Sequence, residues 1–229
     1  MKHSRLTALL TGSALLFCAA TFAMADDTKK DKKHDKASET TTDTKEKRVK
    51  VGEQVPNFTM TDVNGKTLQF SDFSGKTVVM EWVNPGCPVC AGITKAGLVT
   101  KMIADAKAID PNVVFVMVNS TGATANDPKA TATYLADNKV VANAAVIDGS
   151  GVIGKMFDAK TTPSMFVINS TGKLVYAGAF DDSSDRGETP GKTNYVLNAL
   201  TQMKAGKAVS PSEVKSYGCG VHYAKKQNG

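Results

Sequence analysis

The sequence predicts an α/β fold in which a central mixed β-sheet is flanked by helices and preceded by an N-terminal β-hairpin. Two nearly continuous apolar runs, Thr77 to Val83 (TVVMEWV) and Val113 to Val118 (VVFVMV), have the length and β-branched content of strands covered on both faces. Segments with apolar residues at helical spacing follow each run. A second pair of short apolar runs, Ser164 to Ile168 and Leu174 to Gly178, closes around Asn169-Ser170-Thr171-Gly172 as an antiparallel hairpin, which makes the sheet mixed.

Three parts of the chain stand outside that domain. Lys2, His3 and Arg5 precede an apolar run from Leu6 to Phe22, and Ala23-Met24-Ala25 supplies the small-x-small pattern of a signal-peptidase site. Residues 1–25 therefore read as a secretory signal peptide, giving a mature chain that starts at Asp26 and resides in the periplasm or outside the cell. A retained membrane anchor fits less well, because the run contains Thr7, Thr11, Gly12 and Ser13 and is short against the ~20 residues a span requires. Leu15-Leu16-Phe17-Cys18 is similar to a lipoprotein box, but Phe17 stands where a small residue is wanted. Residues 26–50 alternate Lys with Asp or Glu, and up to Arg48 hold no apolar side chain larger than Ala37, so they read as a disordered, mixed-charge linker. Residues 51–205 carry the domain pattern, and 206–229 form a C-terminal tail containing Cys219.

The formal net charge is +6. Much of the positive charge is interleaved with acid in the linker, and no basic helix or aromatic-basic stripe follows, so a nucleic-acid partner is not expected. Nor is stable membrane insertion once the signal is removed.

Along the domain, Phe58 to Met60 and Thr67 to Phe70 flank Asp62-Val63-Asn64-Gly65, where Asn-Gly is a strong hairpin signal. The TVVMEWV strand breaks at Asn84-Pro85-Gly86. Leu98, Val99, Met102, Ile103 and Ala106 then predict one helix from Pro88 to about Ala108, with Pro88 in its first turn, where the missing N–H is not needed. After the VVFVMV strand come a modest helix over Thr131 to Asp137, a short strand over Ala145 to Ile147 and a helical turn through Met156. The hairpin follows, and a last helix carries Val196, Leu197, Leu200 and Met203 and ends at Gly206.

Signal cleavage removes Cys18 and leaves Cys87, Cys90 and Cys219, an odd number in an oxidising compartment, so at least one thiol is free, reactive or bonded to another molecule. Cys87-Pro88-Val89-Cys90 is open to three readings: half of a zinc site, a structural bridge or a redox dithiol. A zinc site needs four ligands. Cys219 and His222 are the remaining candidates, and they would serve only if the tail folded back over the helix start. Placement favours the redox reading. Cys87 stands where a buried strand gives way to a helix, whose unpaired N–H groups and positive dipole end favour a thiolate. Cys87 is thus the expected attacking thiol and Cys90, one turn deeper, the resolving one. Glu81 is anomalous in an apolar strand: an unpaired buried carboxylate is costly and its pKa should rise. It is either a proton shuttle for the dithiol or the partner of a lysine at the sheet edge.

Strand, break, Cys-Pro-Val-Cys and helix together resemble the thioredoxin superfamily. Val55-Pro56-Asn57-Phe58 with the following hairpin is similar to its redoxin branch, which includes exported reductases of the TlpA and ResA kind and the AhpC/TSA peroxiredoxins. The resemblance covers roughly Val51 to Ala205 and implies a thioredoxin-like fold. It also implies roles. Glu81, six residues before Cys87, matches a buried acid that takes the proton from the deeper cysteine. Thr162-Pro163 matches a cis-proline opposite the dithiol, where the preceding residue offers its backbone to the substrate chain. The chain departs from the pattern in having Gly86, not Trp, before the first cysteine, which should leave Cys87 more open. Neither cysteine has the Pro-x-x-x-Thr-x-x-Cys arrangement of peroxiredoxins.

Glycines on both sides of Cys219 suggest a tight turn that presents its sulfur in a reactive or resolving role; a small packing residue is the alternative. The expected activity is exchange of disulfides with protein thiols and a redox partner protein, without a bound organic cofactor. Two other functions compete: an atypical thiol peroxidase in which Cys219 resolves a sulfenic acid on Cys87, and a periplasmic copper-binding module using Cys87, Cys90 and His222, with Met80, Met156 or Met165 as soft ligands.

Overall fold

The computed structural model describes residues 48–224. The signal peptide expected over 1–25 and nearly all of the linker lie outside the described residues. In chain order the strands are β1 (Thr59–Thr61), β2 (Thr67–Gln69), β3 (Val78–Trp82), β4 (Val114–Asn119), β5 (Ala144–Ile147), β6 (Thr161–Thr162), β7 (Ser164–Ile168), β8 (Leu174–Gly178) and β9 (Cys219–Gly220). The helices are α1 (Pro88–Lys95), α2 (Leu98–Ile109), α3 (Pro128–Asp137), α4 (Val152–Met156) and α5 (Tyr195–Lys204).

Five strands form the central sheet in the order β5-β4-β3-β7-β8. β3 is its middle strand, parallel to β4 and antiparallel to β7. Strand alternation divides the side chains of β3 between two cores. Val79 lies with Ile93, Val99, Met102, Phe115, Val196 and Leu200 under the faces of α1, α2 and α5. Val78, Met80 and Trp82 lie on the other side with Ile153, Phe157, Phe166 and the β1–β2 hairpin residue Met60. This is a thioredoxin-like α/β fold with a hairpin extension, in agreement with the sequence.

Three expectations need correction. The helix expected over Pro88 to Ala108 is two helices, because Gly97 takes a left-handed conformation (φ +75°) and caps α2. Apolar periodicity survives such a break, which is why it did not reveal one. The linker ends earlier than composition implied: Val49 is buried in the second core, and its N–H bonds to the Met156 carbonyl at 2.8 Å. The tail packs onto the domain. Ala177 and Val214 N–H groups bond to the carbonyls of Ser212 and Ala177, and β9 pairs antiparallel with β6, so Cys219 sits on a short strand rather than in a turn.

A Cβ on Gly97 would meet no atom within 4 Å, so a substitution there tests backbone conformation alone. Gly97→Ala is expected to destabilise the protein by about 1–2 kcal/mol, the cost of a left-handed L-residue. At this chain length it would appear in thermal denaturation as a fall of roughly 2–8 °C in Tm; an unchanged Tm would show that the turn tolerates another conformation.

Candidate active site

The break after β3 is built by Asn84. Its side-chain Oδ1 accepts the Gly86 N–H at 2.9 Å and its carbonyl accepts the Cys87 N–H at 3.0 Å, delivering Cys87 to the N-cap of α1. Pro88 occupies the first helical turn. From the cap, the Cys87 sulfur accepts the Cys90 N–H at 3.4 Å, one of the helix's otherwise unpaired donors. In its protonated form it donates to the Thr162 carbonyl at 3.2 Å. The Thr162–Pro163 peptide is cis, and β6 carries it directly against the start of α1.

Two opposing effects act on Cys87. Burial pushes its thiol up. The Cys90 N–H, together with the donor groups of Cys219 and Thr162 that surround the sulfur, outweighs burial and holds the thiol below its ordinary value. The buried Thr162 hydroxyl has no hydrogen-bond partner in this structure, and its dipole beside Cys87 favours the ionised sulfur.

Cys90 is the opposite case. Burial, reinforced by the nearby Glu81 carboxylate, pushes its thiol up to about 12, while the Tyr134 hydroxyl, 3.5 Å from its sulfur, opposes this weakly. Tyr134 also reaches the Cys90 carbonyl at 3.1 Å and Thr94 Oγ1 at 2.7 Å, tying α3 to α1 beneath the dithiol. The two sulfurs of one motif thus differ strongly in acidity. One faces converging donors, and the other faces a carboxylate in an apolar core.

Glu81 lies on β3 and is 1% exposed. Its Oε2 has no hydrogen-bond partner, and burial raises its pKa from 4.5 to about 8. At about 1.4 kcal/mol per unit, the fold disfavours the charged form by about 5 kcal/mol. The lysine-pairing alternative does not hold: the ion pairs among the described residues are Arg48–Asp158, Lys160–Asp158 and Lys101–Asp105. β3 is the middle strand, so a lysine at a sheet edge lies beyond reach of its carboxylate.

The opening expected beside Gly86 is filled. Cys87 is 1% exposed because β9 lies across it, with Cys219 paired in register with Thr162. The tail therefore does fold back over the helix start, yet among the described residues no three His, Cys, Asp or Glu side chains are grouped to hold a metal ion. Met80 is buried in the second core and Met156 packs against it, whereas Met165 is buried in the first core with Cys87 and Cys90, so the three methionines do not converge on one site. Trp82 points away from the dithiol, where its Nε1–H donates to Ser120 Oγ at 3.0 Å. Sequence reasoning missed Tyr134, Thr94 and Arg186. Each is an ordinary helix or loop residue whose position depends on tertiary packing, and no local signal marks it.

A dithiol at a helix N-terminus beside a cis-proline loop, on a mixed sheet of this order, defines a thioredoxin-like protein. Residues 50–197 match the model of the Redoxin family, and the chain belongs to that family. A stretch of 47 residues is 38% identical to the thiol-disulfide oxidoreductase ResA of Bacillus thuringiensis subsp. konkukian, covering 20% of this chain and 27% of that protein. Two solved structures share the fold. An uncharacterized conserved protein of Geobacillus kaustophilus superposes with a TM-score of 0.66 at 22% identity, over 77% of this chain and 94% of that one. A hypothetical protein of Sinorhizobium meliloti 1021 gives 0.64 at 21% identity, over 77% and 96%. Among the described residues no helix is long and apolar enough to cross a membrane.

The Glu81 shift has a consequence for stability. Its folded pKa lies above its unfolded one, so the folded state binds the extra proton between about pH 4.5 and 8. The stability associated with neutral Glu81 is complete below pH 4.5 and is lost as pH rises through that window. Glu81→Gln should therefore gain stability relative to wild type as pH rises from 5 to 8, by up to about 1.4 kcal/mol per unit. Urea denaturation of both proteins across the window measures it, and parallel pH dependences would contradict a buried, unpaired carboxylate.

Proposed function

We propose that this chain is an exported thiol–disulfide oxidoreductase that exchanges disulfides with protein partners through Cys87 and Cys90. The observation that carries the reading is the convergence of hydrogen-bond donors on the Cys87 sulfur at the cap of α1, next to a second thiol of much higher pKa. The Cys87 thiolate attacks one sulfur of a partner disulfide, giving a mixed disulfide and releasing one partner thiolate. Cys90 then loses its proton to the Glu81 carboxylate and attacks Cys87, closing the Cys87–Cys90 disulfide and releasing the second partner thiolate. Two electrons pass from the dithiol to the partner. The reverse sequence oxidises a partner dithiol, and the reduction potential of the pair sets which direction prevails.

Glu81 suits the proton step because its pKa of about 8 leaves both protonation states accessible near neutrality. The Thr162 backbone, with Pro163 behind it, offers the edge along which an extended partner segment pairs once β9 is displaced. The basic start, the apolar run and Ala23-Met24-Ala25 support export to an oxidising compartment, where such exchange has substrates.

Reduction of insulin disulfides with dithiothreitol as electron donor tests the activity. Cys87→Ser and Cys90→Ser should each reduce the rate to the uncatalysed background, and Glu81→Gln should slow it by about 10²-fold at pH 7, the usual contribution of a general base. Wild-type rates for Cys87→Ser would refute the proposal.

A further inference from the structure

We propose that Cys219 is a third exchanging thiol: the C-terminal strand occupies the edge where a partner chain would pair with Thr162, and the Cys219 sulfur forms a disulfide with Cys87 that Cys90 resolves. This rests on the reading of Cys87 as the attacking thiol.

The placement of the tail is specific. β9 pairs antiparallel with β6, Thr162 opposite Cys219 and Thr161 opposite Gly220, the backbone geometry of an added substrate strand. The Cys87 sulfur bonds at 3.2 Å to the carbonyl of Thr162, the residue opposite Cys219 in the β6–β9 pair, and Cys219 lines one cleft with Pro88 and Val89 at the start of α1. Closing the S–S bond, about 2.05 Å long, therefore asks for side-chain movement and not for refolding of the tail.

The rest of the tail is anchored on both sides of this contact. Before it, the Tyr217 hydroxyl donates to Asp181, and Arg186 Nη2 donates to the Gly218 carbonyl at 2.8 Å. After it, the Val221 N–H bonds to the Lys160 carbonyl at 2.9 Å, and the His222 carbonyl accepts the Gly122 N–H at 2.8 Å. The Tyr223 hydroxyl donates to the Ala159 carbonyl at 2.6 Å, and its ring lies where a Cβ on Gly151 or Gly154 would strike it. Gly218 itself, at φ +125°, passes so close to β6 that a Cβ there would come within 2.1 Å of the Thr162 carbonyl oxygen. A side chain at that position would lift Cys219 off the site.

Access and charge give the two sulfurs an order. Cys87 is buried, whereas Cys219 is half-buried and lines a cleft of about 290 Å³ with Pro88, Val89, Arg186 and Gly187. In the reduced protein, burial and the neighbouring Cys87 sulfur hold the Cys219 thiol up, so it keeps its proton beside the Cys87 thiolate. Once Cys87 is consumed in a mixed disulfide its charge is gone. The Val89 N–H and Arg186, which favour a Cys219 thiolate, are then no longer opposed by Cys87. Cys219 thus attacks second.

Cys87 thiolate attacks an external disulfide, and the external thiolate that leaves takes up the Cys219 proton. Cys219 thiolate then attacks the Cys87 sulfur, forming Cys87–Cys219 and expelling the second external thiolate. Cys90, its proton passed to Glu81, attacks Cys87 and returns Cys219 as a thiolate. The net change is oxidation of one dithiol and reduction of one external disulfide.

The test uses the full chain treated with glutathione disulfide, quenched with acid at intervals, alkylated and mapped by mass spectrometry. Cys90→Ser should accumulate the Cys87–Cys219 disulfide with little glutathione on Cys87. Adding Cys219→Ser should raise the Cys87–glutathione adduct by about 10-fold or more, because the intramolecular thiol that removes it is gone. Wild type, which needs no substitution to fold, should show Cys87–Cys219 as a transient before Cys87–Cys90. The proposal is overturned if the adduct accumulates equally with and without Cys219, or if the transient is absent at every time point. Should Cys87 take up glutathione in none of the three proteins, the attacking-thiol reading fails first and this inference with it.

Discussion

Everything in the candidate site depends on stabilising charge on a sulfur that is almost fully enclosed. Enclosure alone disfavours a thiolate, as Cys90 shows three residues further on, where burial beside a carboxylate drives the pKa to about 12. At Cys87 the sign is reversed by donors drawn from three segments remote in sequence: the first turn of α1, the loop at Thr162 and the tail at Cys219. The turn built by Asn84 brings the sulfur to that junction, and the central position of β3 fixes the turn in space.

The same strand sets the second half of the chemistry. Glu81 is carried on β3 into the core between the sheet and its helices, where no cation among the described residues pairs with it, and so retains its proton to a pH at which surface carboxylates are fully ionised. A proton acceptor with a pKa near neutrality and a thiol that must lose a proton to react belong together. Tyr134 and Thr94 complete the floor under Cys90 and hold α1 and α3 in the arrangement that keeps water out.

Much of this fold was legible because its signals are local. Buried strands read as apolar runs, Asn-Gly and Asn-Ser-Thr-Gly marked turns, and the boundaries of β7 and β8 agree with the sequence pattern to the residue. The positions of Cys87, Glu81 and Thr162-Pro163 were found through spacing and a family resemblance. The break at Gly97 was not found, because periodicity alone does not register a left-handed residue between two helices. Tyr134 and Arg186 were missed for a different reason, since contacts over long sequence separations leave no local pattern. The tail shows that limit most clearly: its glycines suggested a turn, whereas Gly218 is needed for close approach to the Thr162 carbonyl. The Redoxin match ends at residue 197, so the family pattern does not extend to Cys219 either.

The most direct measurement is the ionisation of Cys87 itself, read as the pH dependence of its iodoacetamide alkylation rate in the native protein, with the labelled peptide quantified by mass spectrometry. A midpoint below the ordinary cysteine value of about 8.5 is expected if the converging donors outweigh burial. A midpoint at or above that value would show that enclosure dominates, and would contradict the central claim that this sulfur is the nucleophile.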